Sequence, residues 1–424
     1  MEDRVEEAQP ETESNPEGKE GGWLTVMACS ILMFWVAGFS TAWGVLQTAL
    51  LRSGSPTKNA TALSFVGTLL NTIGIMFSTL VVALMDRAGC PITPISGVVL
   101  FSVGVLASGL VISEDHSVAG LFGTLAILGG AGYCILFTVS NVVPVQFFRR
   151  RLGFASGIVK AAGGLGGAIL SISVDGLVRR VGVQWTFHIL GFMILGTGLP
   201  AAWFLRERDC EKQRPKVFQW STLRLFKCLG FTATFLTGAI GSFALWVPVF
   251  FVPLFAESLG YSSTASAGLI SGFNIASTVG RLGSGAFCDW IGSFNSLVLM
   301  TLLNTVSMLA VWPVSSSLAP LVVFVILIGL SSGAFFVTLP TAAAGLFDVA
   351  MGQIAVTVVM TGWSPGNLAG APIAAALLGS QIDLGNRMDP FYAMIFYSGC
   401  CAFLALCCAA VGRFSQSWKP MVCC

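Results

Sequence analysis

Two basic residues, Lys160 and Arg281, lie within apolar stretches of the sequence, where an ionisable side chain is a candidate for function. Lys160 stands eight residues after Leu152, and Arg281 stands eight residues before Asp289. Because an α-helix rises about 1.5 Å per residue, both lie about 12 Å from a helix end, near the middle of a ~30 Å hydrocarbon core. Two such cations are costly unless an anion neutralises them, so the pair predicts an organic-carboxylate site. Arg281 can bind such a group bidentately.

Both cations also have a structural interpretation. Lys160 can extend to the membrane interface or bond to a carbonyl at a helix break. Arg281 can form a gating ion pair with Asp86 or Asp289. These alternatives stay open at the level of the sequence.

Other polar side chains within the apolar stretches are candidates for lining a pathway. Asn274, Ser277 and Arg281 share one face of a predicted helix at i, i+3 and i+7. Three further candidates are Gln47, Asn71 and Asn141. Hydrogen bonding between helices is the competing interpretation for all of them. Three aromatic residues can also pack on a substrate, although packing on lipid or on neighbouring helices is commoner; they are Trp43, Tyr133 and Trp363.

Signals for catalysis and for metal binding are weak. Residues 329–333 match G-x-S-x-G, but they lie inside an apolar stretch with no preceding strand. The two histidines, His116 and His188, are far apart, and the 12 cysteines are scattered without a CxxC pair. We therefore predict no enzyme, no cofactor and no metal. Most cysteines are interpreted as small buried apolar residues, with palmitoylation at 407–408 and 423–424 as an alternative.

The composition is that of a membrane protein. Of the 424 residues, 55% are hydrophobic and 10% are charged, against about 25% charged in soluble domains. The basic residues are dispersed, so nucleic acid is not predicted as a partner. The chain is expected to be an all-α polytopic membrane protein whose partner is the lipid bilayer.

Twelve apolar segments of helical length follow residue 22. They are residues 23–49, 61–85, 92–113, 118–146, 152–178, 184–205, 227–256, 263–288, 294–313, 319–342, 353–378 and 390–413. The predicted plan is a disordered acidic cytoplasmic tail (1–22), two six-helix bundles (23–205 and 227–413), a central cytoplasmic loop (206–226) and a cytoplasmic tail (414–424).

The distribution of basic residues predicts the orientation. With both termini in the cytoplasm, sixteen of the 22 Lys and Arg residues fall on the inner side, as the positive-inside bias requires. Asn59 begins the sequon Asn59-Ala60-Thr61 on the predicted outer side, a candidate for glycosylation that lies very near the membrane.

A short motif repeats in the two halves. Asp86 and Gly89 close the second segment, and Asp289 and Gly292 close the eighth with the same spacing. Corresponding signals at corresponding places point to duplicated six-helix units. We interpret these residues as turn and gate positions.

On this motif the chain resembles the major facilitator superfamily, and within it the monocarboxylate porter family, especially its fungal members. Three stretches carry the closer resemblance: residues 20–23 (EGGW), residues 146–151 (QFFRRR) with Gly157 and Gly167, and residues 274–281 (NIASTVGR). The resemblance implies a twelve-helix transporter fold. It also implies gating or motif roles for Asp86, Arg87, Arg149, Arg150 and Asp289.

Two departures from that family argue against proton symport by its usual residues. Proton-coupled animal members have a carboxylate four residues before the eighth-span arginine, whereas this chain has Ser277. They also have a first-span lysine, whereas residues 39–47 contain no charge.

The sequence therefore predicts a transporter of a small organic anion that works by alternating access as a monomeric unit. Export of a fungal secondary metabolite is the alternative, and a non-transporting sensor on the same fold is a third interpretation. The plasma membrane is the expected location, with the vacuolar membrane as the alternative.

Overall fold

The computed structural model describes residues 21–52, 60–90, 92–114, 118–148, 151–205, 220–378 and 391–416. Throughout this part of the chain the regular structure is helical. The helices are α1 (Gly22–Arg52), α2 (Ala60–Met76), α3 (Ser78–Ala88), α4 (Ile92–Glu114), α5 (Val118–Leu121), α6 (Gly130–Phe147), α7 (Leu152–Phe204), α8 (Leu229–Leu245), α9 (Val247–Ser258), α10 (Ser263–Ile291), α11 (Ser293–Val306), α12 (Leu318–Gly345), α13 (Val349–Thr361), α14 (Ser364–Leu378) and α15 (Tyr392–Gln416). Two π-helical segments, Phe122–Gly129 and Ser307–Val311, continue α5 into α6 and extend α11.

Helices occupy all twelve of the predicted apolar segments. Among the described residues, eight helices are long and apolar enough to cross a membrane, or nine when the bent pair α2–α3 counts as one span. The prediction of twelve spans is therefore confirmed only in part. The prediction of an all-helical fold is confirmed.

The fifth and sixth predicted spans lie within the single helix α7, whose 53 residues are far too many for one crossing. Gly182 divides it, because its φ of 82° and ψ of 170° are not helical. A residue with a Cβ rarely adopts such a φ, and glycine does so without penalty. The turn between the two spans therefore consists of a single glycine, and it is shorter than the turn that the sequence predicts.

Three spans are interrupted in their interior. The axis bends by 53° at Phe77 between α2 and α3. The α8–α9 break is at Trp246, and the α13–α14 break is at Gly362 and Trp363. Broken helices free backbone groups and are the usual location of binding sites in transporters.

The helices pack through small residues. A Cβ on Gly132 would lie 2.7 Å from the Gly97 carbonyl oxygen, and one on Gly329 would lie 2.8 Å from the carbonyl oxygen of Phe273. Such positions let backbones approach closely where lipid gives no hydrophobic drive for association. The larger cluster of buried apolar residues draws on both α1–α7 and α8–α15, so the two halves are in contact.

Parts of the predicted plan lie outside the described residues, namely residues 1–20, Asn59, Arg149, Arg150, 206–219 and 417–424. The end of the predicted central loop, residues 220–226, lies in the 3-10 helix Trp220–Lys227.

Candidate anion-binding site

The two membrane cations meet at the contact between α7 and α10. The Arg281 guanidinium donates a hydrogen bond from Nη1 to the main-chain carbonyl oxygen of Lys160 at 3.0 Å. Lys160 is 4% exposed. Within the described part of the chain, Lys160 Nζ and Arg281 Nε are buried without a hydrogen-bond partner. The pair therefore retains donors that only a further acceptor would satisfy.

Each cation lies over an aromatic ring of its own half. Lys160 Nζ is 4.7 Å from the centroid of Phe137 on α6, and Arg281 Cζ is 5.5 Å from the centroid of Phe336 on α12. The negative face of a ring attracts a cation by about 0.5–2 kcal/mol, more where water is excluded. The rings offset part of the cost of burying the charges, but they do not neutralise them as a carboxylate would.

Further aromatic side chains extend both ring contacts. Tyr133 stacks on Phe137 with centroids 5.9 Å apart. On the other side, Trp363 packs against Phe336 with centroids 5.5 Å apart. The cation pair is thus flanked by rings on both sides.

Glycines determine how closely α7 and α10 approach. A Cβ on Gly157 would lie 2.9 Å from the carbonyl oxygen of Arg281, and one on Gly285 would lie 2.5 Å from that of Gly153. On Gly164 a Cβ would lie 3.3 Å from Arg281 Nη1. The glycine-rich sequence after residue 152 therefore lets Arg281 reach the backbone of α7.

Asp289 joins the two helices at the adjacent end of the contact. Its Oδ1 accepts a hydrogen bond from Gly153 N and its Oδ2 accepts one from Phe154 N, both at 2.9 Å. These are unsatisfied amides of the first turn of α7, where a carboxylate also interacts favourably with the helix dipole. A residue of the second half thus caps a helix of the first half.

Comparison with known proteins decides the family. The profile described as Major Facilitator Superfamily matches residues 21–370. The chain belongs to the Major Facilitator Superfamily. It is therefore a multi-pass integral membrane transporter.

Similar proteins include fungal transporters. An MFS-type transporter of Gibberella moniliformis is 32% identical over 187 residues, which are 44% of this chain and 45% of that relative. The MFS-type transporter pynF of Aspergillus niger is 26% identical over 85% of this chain and 82% of its own. The aspyridones efflux protein apdF of Emericella nidulans is 27% identical over 70% of this chain and 59% of its own.

Solved structures of low sequence identity share the fold. The human organic anion transporter MFSD10 superposes with a TM-score of 0.69 at 14% identity, covering 92% of this chain and 99% of that chain. The superfamily transporter FucP, in its outward conformation, gives a TM-score of 0.69 at 13% identity, covering 93% of this chain and 98% of its own. Family and fold are those of membrane transporters and not of enzymes.

Within the transporter, the predicted polar face of α10 divides into two parts. Asn274 is half-buried, and its carbonyl accepts a hydrogen bond from Thr278, whose side chain lies against Gly164 of α7. Ser277 is buried in the contact between α10 and α12, where its carbonyl abuts Gly333. The backbone of Ser277 thus packs on α12, and Thr278, one turn after Asn274, packs on α7.

The other predicted lining residues have partners in the protein. Asn71 accepts a hydrogen bond from Ser40 at 2.6 Å and donates one to the Gly67 carbonyl at 3.0 Å. Asn141 donates to the Phe137 carbonyl of its own helix at 2.6 Å. Gln47 is half-buried and also has an interaction partner. Asn71 thus makes a hydrogen bond between helices, and its role in lining a pathway stays a prediction.

The repeated motif has the same backbone form in both halves. Gly89 and Gly292 have φ values of 72° and 89°, so each ends a helix in a conformation that glycine adopts without strain. Asp86 and Arg87 are exposed at the end of α3. Asp289 accepts hydrogen bonds from two amides of α7, and Arg281 donates one to a carbonyl.

Two of the helix breaks meet across the halves. Thr79 Oγ1 of α3 and Thr361 Oγ1 of α13 are 3.4 Å apart, and each stands within two residues of a break. Sequence reasoning missed this contact. Gly362 and Pro365 mark the second break in the sequence, whereas no proline marks the first.

Proposed function

We propose that this transporter carries an organic anion of the monocarboxylate type, with Lys160 and Arg281 recognising its charge. The observation that supports the proposal most is the pair of cations, buried Lys160 and half-buried Arg281, one from each half. Lys160 Nζ and Arg281 Nε lack hydrogen-bond partners in the described part of the chain, and the polar partner of Arg281 is an uncharged carbonyl. A carboxylate would supply the missing acceptor and the missing charge.

The same pair suggests how binding is linked to movement. The two halves are proposed to rock about the site so that it opens to one side of the membrane at a time. Arg281 bridges the halves through the Lys160 carbonyl. An anion between the cations replaces that contact with a stronger, charge-assisted one, so a loaded carrier remains joined while it reorients.

Proton coupling is not part of the proposal. The position one turn before Arg281 holds Ser277, which is buried against α12 and has no carboxylate to protonate. Two interpretations of the energy source remain, facilitated diffusion of the acid and exchange of one anion for another.

Export of a fungal secondary metabolite is the second candidate. It is favoured by the relative named as an aspyridones efflux protein, although that match covers 59% of the relative. The two proposals differ in direction and in the size of the cargo, and they share the membrane and the fold.

The proposed topology places both termini and the central loop in the cytoplasm of a plasma-membrane protein, with the vacuolar membrane as the alternative. Arg149, Arg150, Arg87, Asp86 and Asp289 would then stand at the inner ends of the spans as gate residues. The halves 23–205 and 227–413 would form one monomeric transport unit.

The test is uptake of labelled carboxylates into vesicles that contain the purified transporter. Lys160→Met and Arg281→Gln remove each charge but keep much of the volume. The matched control is Arg413→Gln, because Arg413 is also a buried cation but bonds to Asn295 of α11. We expect saturable uptake that both site variants abolish and the control retains. Transport of a neutral compound that neither site variant changes would refute the anion proposal.

A further inference from the structure

A small cavity lies inside the second half, apart from the cation pair. Residues of four helices, α8, α11, α12 and α15, form its wall. Three polar side chains belong to that wall: Thr301 and Asn304 of α11, and Ser331 of α12. The volume of the cavity is about 10 Å³. This is room for a molecule of the size of water and for nothing much larger.

The amide of Asn304 is the group that most needs a partner in this cavity. Asn304 is 8% exposed, and no described residue forms a hydrogen bond with its side chain. Asn141 has the same exposure but donates to the Phe137 carbonyl of its own helix at 2.6 Å. A buried amide without a partner is destabilising, and buried polar groups are normally paired with protein or with water. The Asn304 amide therefore points to a partner inside the cavity.

The two hydroxyl groups of the wall can serve only as acceptors for such a partner. Thr301 Oγ1 donates its proton to the Leu297 carbonyl at 2.8 Å, and Ser331 Oγ donates its proton to the Ile328 carbonyl at 3.1 Å. A hydroxyl has one proton and two lone pairs, so each oxygen retains a lone pair. The Asn304 amide supplies two further donors and one acceptor. The wall thus calls for a molecule that both accepts and donates.

We propose that this cavity is a binding site for one water molecule that joins α11 to α12. The water accepts a hydrogen bond from Asn304 Nδ2 and donates to Thr301 Oγ1 and Ser331 Oγ. Three hydrogen bonds are the usual number for a buried water. With the water in place, each polar side chain of the wall has a partner. This inference is independent of the proposed anion function, since none of the three residues belongs to the cation pair.

A metal cation fits this wall less well than water does. All three polar side chains are neutral, and they offer three side-chain oxygens. A cation such as Ca²⁺ takes about six to eight oxygen ligands, several of them carboxylates. A charge in a neutral and mostly apolar wall is also costly without a counter-ion. Water needs no counter-ion, and it uses the donor and both acceptors.

The water site lies beside the part of α12 that faces the cation pair. Phe335 belongs to the wall of the cavity. The next residue, Phe336, is the ring that lies 5.5 Å from Arg281 Cζ. The bound water thus holds α11 against the stretch of α12 that presents Phe336 to Arg281.

Radiolytic footprinting of the purified transporter in detergent tests the proposal. Radiolysis of a bound water gives hydroxyl radicals that oxidise the side chains next to it, and methionine is readily oxidised to its sulfoxide. Met300 is half-buried and belongs to the wall of the cavity. Met308 is the internal control, because it lies in the π-helical extension of the same helix and is 0% exposed in a separate apolar cluster. We expect oxidation of Met300 and none of Met308.

Two variants on different helices remove the site in different ways. Asn304→Leu keeps the volume and removes the amide. Gly241→Ala adds a methyl group to the wall from α8, 3.1 Å from the ring of Phe335, and takes up part of the space. Both should lose most of the oxidation of Met300. Asn141→Leu is the matched control, since Asn141 is equally buried but lies outside the cavity, and it should leave the oxidation unchanged.

Three outcomes would overturn the proposal. Oxidation of Met300 that persists in both Asn304→Leu and Gly241→Ala would come from bulk solvent and not from a bound water. An equal loss in Asn141→Leu would reflect a general change of packing. Loss of the oxidation when sodium chloride replaces choline chloride would place a cation in the cavity instead of water.

Discussion

Arg281 of α10 donates a hydrogen bond to the main-chain carbonyl of Lys160 on α7, across 121 positions of the sequence. The contact joins the two halves through the backbone and leaves the Lys160 amine on the ring of Phe137. A substitution at Lys160 therefore removes the charge and keeps the bridge, whereas a substitution at Arg281 removes both. The two residues therefore make separable contributions to the contact.

Arg281→Lys should impair transport although it keeps the charge. A lysine is a point charge, and it loses the planar fork that can hold a carboxylate and a carbonyl together. We expect KM for the transported acid to rise about tenfold, the effect of losing one charge-assisted hydrogen bond of ~1.5 kcal/mol. Unchanged KM would show that Arg281 does not touch the substrate. Initial uptake rates over a range of acid concentrations give the result.

Gly285→Ala should prevent the close approach of α7 and α10. The new Cβ would stand 2.5 Å from the Gly153 carbonyl, and a shift of helix against helix costs about 1–3 kcal/mol. Gly283→Ala is the control, since a Cβ there meets nothing within 4 Å on the same helix. Uptake should fall in the first variant and stay normal in the second. Equal rates would mean that this contact is not needed for the transport cycle.

Asp289→Asn should loosen the end of the transporter at which Asp289 caps α7. The amide retains one acceptor but loses the charge that favours the helix N-terminus, at a cost of about 1 kcal/mol. Cys288 is 5% exposed beside Gly153, so its alkylation by a maleimide reports opening of this end. In a variant that keeps Cys288 as its one cysteine, labelling should accelerate about fivefold.

Asp175→Asn serves as the control for that measurement. Asp175 forms an exposed i,i+4 ion pair with Arg179 at 2.9 Å, a contact worth little to stability. Its labelling rate should match that of the parent protein. Slower labelling of Cys288 in Asp289→Asn would contradict the role of Asp289 as a link between the halves.

Ser277→Asp should introduce an internal competitor for the substrate. The new carboxylate would stand one helical turn from Arg281 and would neutralise it at neutral pH. Acid uptake should weaken at pH 7.5 and recover as the pH is lowered and the carboxyl is protonated. The parent protein should lack this pH dependence when a sulfonate, which stays charged, is the probe. Identical pH profiles would argue that position 277 does not communicate with the site.

The helical fold followed from the sequence because it depends on local patterns. Hydropathy locates apolar segments, and helical rise converts the positions of Lys160 and Arg281 into similar depths. The glycines near residue 157 also indicated a close helix contact, although not its partner. The repeated motif that ends in Gly89 and Gly292 predicted matching turns. Both glycines have a positive φ, which agrees with that prediction.

The surroundings of the cations were not predictable in the same way. Phe137 and Phe336 are two of 32 phenylalanines in spans that are apolar all round, so no periodicity marks the ring that faces a charge. Asp289 accepts a hydrogen bond from Phe154, which lies 135 residues away in the other half. Asn71 accepts one from Ser40 on a neighbouring helix. Such pairings depend on how the helices dock, which no local pattern encodes.

The most direct test of the anion site is the affinity of a labelled carboxylate for four purified proteins: the parent, Lys160→Met, Arg281→Gln and the double variant. If both cations bind one carboxylate, each single substitution should weaken binding at least about tenfold, and the double variant should lose much less than the sum of the two losses. Strictly additive losses would place the cations at independent sites. Unchanged affinity in either single variant would contradict the shared anion site.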